Sequence, residues 1–327
     1  MILANTMSLN KHIGQDICLQ CRLSQQESLV SQYGKPYFRL KLEDSYGKSY
    51  GLIWPNNELY QHLHSLDPRQ LPPIEVSGRV AQLNHYIYIK VAELSLMTDQ
   101  HVVNGAQVLP KMLVPFLAHE AHAWLVNFIS TLLSDALRTF MTSMLLDPKI
   151  GLNYFRARAS VSNHHNYQGG LLTHSVEVAR LVASMGREIG LNQFDIELSQ
   201  VGALLHDLGK ILVVGERDPR PLPWKLFRHE AQSLLLIGPH LSKLNIEHPI
   251  LGWALTHMLD RLASAKSSID SHFIGEDLIR HADYLSAANS VGKSLEDLVQ
   301  NGRFDQASNE PSFIEPQYNA QPPQQLT

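Results

Sequence analysis

The sequence predicts an α+β multidomain chain, a closed β-barrel over the first hundred residues followed by an all-helical domain. Three observations carry this. Apolar residues alternate with period two in the N-terminal segments. From Pro110 onward they recur every three to four residues. At 327 residues the chain is long enough for two cores. The boundaries that follow are a barrel over 1–98, a polar linker over 99–109, a helical connector over 110–158, the main helical domain over 159–300 and a tail over 301–327. The tail has almost no apolar content, which predicts disorder.

Asp16 to Leu23 reads as a first strand. It contains the pair Cys18 and Cys21, but residues three apart on a strand face opposite sides, so the pair is read as structural. In Pro36 to Asp44, Phe38, Leu40 and Leu42 point inward and Tyr37, Arg39 and Lys41 outward. Ser45 to Lys48 makes a turn, Tyr50 to Trp54 a short strand and Asn57 to Leu63 a short helix. Ile74 to Val80 and Tyr86 to Val91 form a closing hairpin around Leu83-Asn84-His85. This order of strands and helix is that of an OB-fold barrel. Its outward residues Tyr37, Arg39, Lys41, Tyr86, Tyr88 and Lys90 interleave rings with positive charge. Rings stack on bases and cations follow phosphates, so single-stranded nucleic acid is the expected partner. The bland alternative is the solvent face of an amphipathic barrel. The run Gly34 to Asp44, with Gly51-Leu52-Ile53-Trp54, resembles nucleic-acid-binding OB-folds of the tRNA-anticodon type.

Beyond the polar stretch Asp99 to Val108, Pro110 to Leu146 has helical periodicity. Leu113, Phe116, Leu117, Trp124, Phe128, Leu132, Leu133 and Leu137 are its expected apolar face. His119-Glu120-Ala121-His122 is one residue short of the metalloprotease spacing and reads as ordinary helix surface.

The chemistry concentrates further on. In Leu204-Leu205-His206-Asp207-Leu208-Gly209-Lys210 an imidazole and a carboxylate sit side by side at the end of an apolar helix. That donor mixture suits a divalent metal, and a buried, unpaired charge there would cost several kcal/mol. Gly169-Gly170 opens a helix on which Leu171, His174, Val178 and Leu181 share one face. His229, His257 and Asp283 each lie in later helical segments. A lone histidine in such a helix is usually a satisfied core residue. The ordered series His, His-Asp, His, His, Asp is harder to dismiss.

His174, His206-Asp207 and Asp283, in the blocks Gly-Gly-Leu-Leu-Thr-His and Leu-Leu-His-Asp-Leu-Gly-Lys, resemble the signature of the HD-domain metal-dependent phosphohydrolases. The resemblance covers about Ala159 to Asn289 and implies an all-α fold holding one or two divalent ions between its helices. It assigns His174, His206, Asp207 and Asp283 to a first metal. His229 and His257 would serve a second metal that Asp207 bridges, with Mn²⁺ as the expected ion. The order barrel, helical connector, HD domain, together with Asn163-His164-His165, is similar to the YhaM-type 3′→5′ exoribonucleases. Met258 to Arg261 departs from that group's pattern beside His257. In this picture Asp207 holds metal at the reaction centre, Lys210 offsets phosphate charge, and His164 or His165 holds a phosphate oxygen or protonates the leaving oxygen. A nucleotide phosphohydrolase and a relaxase-like DNA-processing protein are the alternatives.

A net charge of −4 gives no global basic field, so any nucleic-acid binding must be local. No apolar run approaches the roughly 18 residues of a membrane span, and the N-terminus lacks the pattern of a signal peptide. Two cysteines fit a reducing compartment, so the cytoplasm is expected. A homo-oligomer stays open.

Overall fold

The computed structural model describes residues 2–57, 60, 73–97, 106–109, 111–147, 149–161, 164–214, 228–264 and 273–289. The expected tail over 301–327 lies outside them, as does most of the helix expected at Asn57 to Leu63.

The N-terminal strands are β1 (Ile2–Ala4), β2 (Asp16–Val30), β3 (Pro36–Glu43), β4 (Lys48–Ile53), β5 (Ile74–Leu83) and β6 (Tyr86–Leu96). They run in the order β1-β2-β3-β4-β6-β5, and β5 returns to pair with β2 from Asp16↔Arg79 to Cys21↔Ile74. β2 to β6 therefore form a closed five-stranded barrel. Its parallel contact, Gly51↔Ile89 and Leu52↔Lys90, joins β4 to β6 and gives the OB-fold topology. The inward alternation fills the barrel with Ile17, Leu19, Leu40, Leu42, Ile53, Ile74, Val76 and Ile89, all fully buried. β2 runs seven residues past its expected end at Leu23. A register shift between Leu23 and Gln25 lets its second half pair with β3 alone. That half is only partly covered, so its sequence, Ser24-Gln25-Gln26-Glu27-Ser28, carries no apolar alternation to reveal a strand.

Asp44, at the β3–β4 turn, is buried and anchors three segments. Its carboxylate accepts hydrogen bonds from the Thr6 amide at 2.7 Å, the Thr6 hydroxyl at 2.6 Å, and the Tyr46 and Gly47 amides at 2.9 Å each. The Lys111 amide donates to the Asp44 carbonyl at 3.3 Å, and Ser45 donates to the Gln107 carbonyl at 2.7 Å. The stretch expected as a polar linker therefore ends as a packed joint. Ala106, Val108 and Leu109 are buried, and Val108 packs with Met97 and Leu146.

The helices are α1 (His119–Thr131), α2 (Asp135–Leu146), α3 (Gly151–Arg156), α4 (Gly170–Glu188), α5 (Gln193–Leu205), α6 (Lys210–Val213), α7 (His229–Glu247), α8 (Pro249–Ala263) and α9 (Ile274–Asn289). The stretch 110–146 is not one helical phase. It breaks between α1 and α2, where Ser134 caps the new helix by accepting from the Leu137 amide at 3.3 Å. The expected apolar face is corrected in part: Leu113, Phe116 and Leu117, in the short turns ahead of α1, and Leu133, at the break that resets the periodicity, are exposed. The core keeps the expected Phe128, Leu132 and Leu137 and adds Leu125, Ile129, Phe140, Met141 and Met144. His122 is likewise not surface. It is buried edge-on against Phe155, and burial, aided by His119 and Lys111, pushes its pKa down to about 4. Among the described residues no helix is long and apolar enough to cross a membrane.

Because one carboxylate satisfies four donors, Asp44→Ala leaves the buried Thr6 amide and hydroxyl and two turn amides without their acceptor. We expect a loss of about 3 kcal/mol or more, read as a lower urea midpoint for the barrel's transition. An unchanged midpoint would show that the turn does not depend on Asp44.

Candidate metal centre

Four helical segments deliver the site. α4 begins at Gly169, whose φ of +85° favours glycine, and presents His174 in its second turn. α5 starts at the Asn192 cap, which accepts from the Asp195 amide at 2.9 Å, and ends just before His206 and Asp207. α9 carries Asp283. α7 opens with His229 and can come this close only because residue 209 is glycine. A Cβ there would lie 1.9 Å from the His229 carbonyl oxygen. Ser233 fastens the contact, accepting from the Gly209 amide at 2.8 Å while its hydroxyl lies 3.1 Å from the carbonyls of both His206 and His229.

His174, His206, Asp207 and Asp283 bring one donor atom each to within 4.8 Å of one another. His174 Nε2 is 3.3 Å from Asp207 Oδ2 and 3.1 Å from Asp283 Oδ1, and His206 Nε2 is 3.3 and 3.7 Å from the same two atoms. Donors that share a cation at about 2.1 Å stand about 3.0–3.4 Å apart. The four atoms are spaced for a common centre.

The tautomers sharpen this. His206 Nδ1 donates to the Ala203 carbonyl at 2.7 Å. His174 Nδ1 lies 3.2 Å from the Ser286 hydroxyl oxygen, whose own proton goes to Glu177 at 3.1 Å. Both Nε2 atoms are thus the lone-pair nitrogens. Both are buried, and neither makes an aligned hydrogen bond. Lone pairs and carboxylates facing one another require a positive charge between them, either a proton or a metal ion. Burial works against a charged His206, but Asp207 and Asp283 outweigh it and raise its pKa to about 10. Burial likewise opposes ionisation of Asp207 and Asp283, yet His206 and Lys210 hold the first, and His174 and His206 the second, well below the usual carboxylate range. The donor set fits a divalent cation.

The remaining expected residues divide. His229 Nε2 lies 2.8 Å from Asp207 Oδ1, the oxygen turned away from the first cluster, and Lys210 Nζ lies 2.5 Å from Oδ2. Asp207 thus presents one oxygen to each side, as a bridging carboxylate does. His164 lies beside His174 with ring centroids 5.2 Å apart and planes tilted by 58°, and its Nε2 is buried without a partner. Burial, then the neighbouring His174, His165 and Lys210, lowers its pKa. His165 has both nitrogens engaged, Nε2 with Glu177 at 2.9 Å and Nδ1 with the Tyr167 hydroxyl at 3.1 Å. His257 is not brought to the cluster. Its Nδ1 pairs with Glu276 at 3.1 Å, and it lines an apolar groove of about 1240 Å³ with Phe194, Trp253 and Phe273. The buried Glu276, bound also by Arg261 at 3.0 Å, holds it there. Asp283 and His229, 45% and 35% exposed, form the open rim of the centre.

On the barrel, register sets Arg39, Leu52 and Lys90 in one outward row across β3, β4 and β6. Tyr37 packs on Trp54 at 4.9 Å, and Arg39 lies over Tyr50 at 5.5 Å. Arg39 and Lys41 are matched by Glu27 and Glu43, at 2.5 and 2.6 Å. Tyr86 is strongly exposed at the hairpin end. Sequence reasoning missed Trp54 and Tyr50, which the alternation Tyr50-Leu52-Trp54 could have supplied. It also missed Glu177 and Ser286, each three residues after a proposed ligand.

A cation entering this centre displaces the proton that His206 carries below pH about 10. Affinity should therefore rise with pH across the neutral range, with proton release on binding. Calorimetric titration with Mn²⁺ between pH 6.5 and 8.5, in buffers of different ionisation enthalpy, measures both. Binding without proton release would contradict the assignment.

The family model "HD domain" matches residues 171–288. Over 48 residues the chain is 50% identical to "Ribonuclease Y" of Fusobacterium nucleatum, covering 15% of this chain and 9% of that protein. It is 24% identical over 160 residues to "Dihydroneopterin 2',3'-cyclic phosphate phosphodiesterase" of Methanocaldococcus jannaschii, covering 45% and 57%. To "3'-5' exoribonuclease YhaM" of Listeria monocytogenes it is 20% identical over 288 residues, covering 88% of each chain. The chain thus spans less than two thirds of the first two relatives and most of the third. By the matched segment and the donor set within it, residues 171–288 form an HD domain.

Proposed function

We propose that the chain is a metal-dependent phosphodiesterase that degrades single-stranded RNA from the 3′ end in the cytoplasm, with Mn²⁺ at the HD site. The observation that carries this reading is the convergence of two lone-pair imidazoles and two carboxylates, with Asp207 Oδ1 turned to His229. The free thiols Cys18 and Cys21 are in keeping with a reducing compartment. A bound divalent cation supplies polarisation of the phosphate and a nucleophilic water near neutral pH. The chain's own residues do the rest. Lys210, at Asp207, adds positive charge beside the phosphate position. The lowered pKa of His164 keeps its ring neutral, which suits holding a non-bridging oxygen better than giving up a proton. His165, engaged at both nitrogens, positions rather than reacts.

The barrel supports a strand grip. Tyr37, Trp54, Tyr50 and Tyr88 offer rings, with Lys90 and Arg39 among them, and the relative that covers most of the chain is named an exoribonuclease. Since carboxylates already match Arg39 and Lys41, stacking rather than phosphate contact leads, and salt dependence is shallow. A nucleotide or cyclic-phosphate hydrolase is the second reading, favoured by the relative named for a cyclic-phosphate phosphodiesterase.

Protein with Mn²⁺ should convert 5′-labelled single-stranded RNA into a ladder shortening from the 3′ end, and His206→Ala or Asp207→Ala should abolish it. Turnover of mononucleotides or cyclic phosphates without a ladder would favour the second reading.

The joint replacement of Tyr37, Trp54 and Tyr88 by Ala should raise KM for long strands at least tenfold, since each stacked base contributes about 1–3 kcal/mol. Hydrolysis of bis-p-nitrophenyl phosphate should be largely unchanged. Equal KM values would remove the barrel from strand binding.

A further inference from the structure

We infer that Glu177 is a positioning residue that uses one carboxylate oxygen to fix both the ligand His174, through Ser286, and the loop histidine His165. This rests on the metal-centre reading above. Glu177 Oε2 accepts the Ser286 hydroxyl proton at 3.1 Å and lies 2.9 Å from His165 Nε2. With its proton committed, Ser286 can only accept from the imidazole 3.2 Å away, so His174 carries its hydrogen on Nδ1 and turns the Nε2 lone pair to the cluster. The tautomer of one ligand is therefore set two hydrogen bonds away, by a residue one helical turn along α4. His206 takes its tautomer from a backbone carbonyl instead and is independent of this chain.

The second arm reaches the loop before α4. A carboxylate can only accept, so His165 Nε2 carries a hydrogen and Nδ1 accepts from the Tyr167 hydroxyl at 3.1 Å. His165 has a φ of +53°, and its carbonyl accepts from the Ala159 amide at 3.2 Å, 2.0 Å from where a Cβ on Gly170 would stand. Such a tightly held backbone leaves the adjacent His164 little freedom beside His174. One oxygen on α4 thus ties together the loop bearing His164 and the helix bearing Asp283. Outer partners of metal-bound histidines fix ring orientation in this manner, and their loss typically costs 10–100-fold in metal affinity.

The test is Mn²⁺ affinity by calorimetry on the full chain for wild type, Ser286→Ala, Glu177→Ala and Glu177→Gln. Long-range ¹H–¹⁵N spectra of the metal-free proteins report the His174 tautomer. Ser286→Ala and Glu177→Ala should bind about 10–100-fold more weakly and lose the pure Nδ1–H form. Glu177→Gln, whose carbonyl can accept both hydrogen bonds, should recover most of the loss and keeps the test decisive if Glu177→Ala does not fold. Wild-type affinity in Ser286→Ala, or a Gln variant as weak as Ser286→Ala, overturns the inference. If wild type binds no Mn²⁺, the metal centre itself falls and this inference with it. If wild type and variants all bind tightly, only this inference falls.

Discussion

Two buried imidazole lone pairs and the buried Asp207 carboxylate meet the rim carboxylate of Asp283, and that arrangement is tenable only with a positive charge between them. The polypeptide can supply a proton on His206, whose pKa is raised to about 10 for that reason, or it can hold a divalent cation. Much of the helical architecture serves to create this demand. α4, the turn that ends α5, and α9 each contribute donors, and none of the three alone could bind an ion. Close packing keeps the donors from relaxing apart, so the repulsion is carried by the apolar core beneath them, where Leu171, Val178, Val201, Leu204 and Leu205 are fully or almost fully buried.

Small residues set the limits of approach. Gly209 lets α7 close on the turn after His206-Asp207, which places His229 against the second oxygen of Asp207. Gly170 lets the loop bearing the paired histidines press onto the start of α4, and Gly169 before it leaves room for Ala118. A side chain at either place would separate the groups that the chemistry needs together, although no glycine touches a donor atom of the cluster. Outer hydrogen bonds then do for orientation what packing does for distance.

How much of this could be read from the chain itself follows from distance along it. His206-Asp207 was legible because its two donors are neighbours at the end of a strongly periodic helix, and the barrel because inward residues alternate along β3, β5 and β6. What remained hidden depends on partners far away in sequence. Glu177 and Ser286 are 109 positions apart, and neither has a context that marks it as polar support. His257 has the right residue type on the right kind of helix, yet Glu276 claims it. Arg39 reads as a phosphate ligand until β2 continues through its irregular half and sets Glu27 opposite it. The connector was misphased in part: Phe116 and Leu117 fall in a short turn ahead of α1, and the break at Leu132–Ser134, which no composition change announces, turns Leu133 outward.

The joint between barrel and helices bears on how the two halves can be separated. Gln107 and Lys111 bond to the backbone at the Asp44 turn, and Val108 is enclosed by Met97 and Leu146. A fragment excised just after β6 would therefore present Val108 and Leu146 as raw apolar surface and strip their neighbours of backbone partners. Sticky behaviour or lost turnover in such a fragment would report a torn seam before it reported a missing substrate grip. Point changes on the outer face of β3, β4 and β6 leave that seam closed, and they are the cleaner way to dissect the two halves.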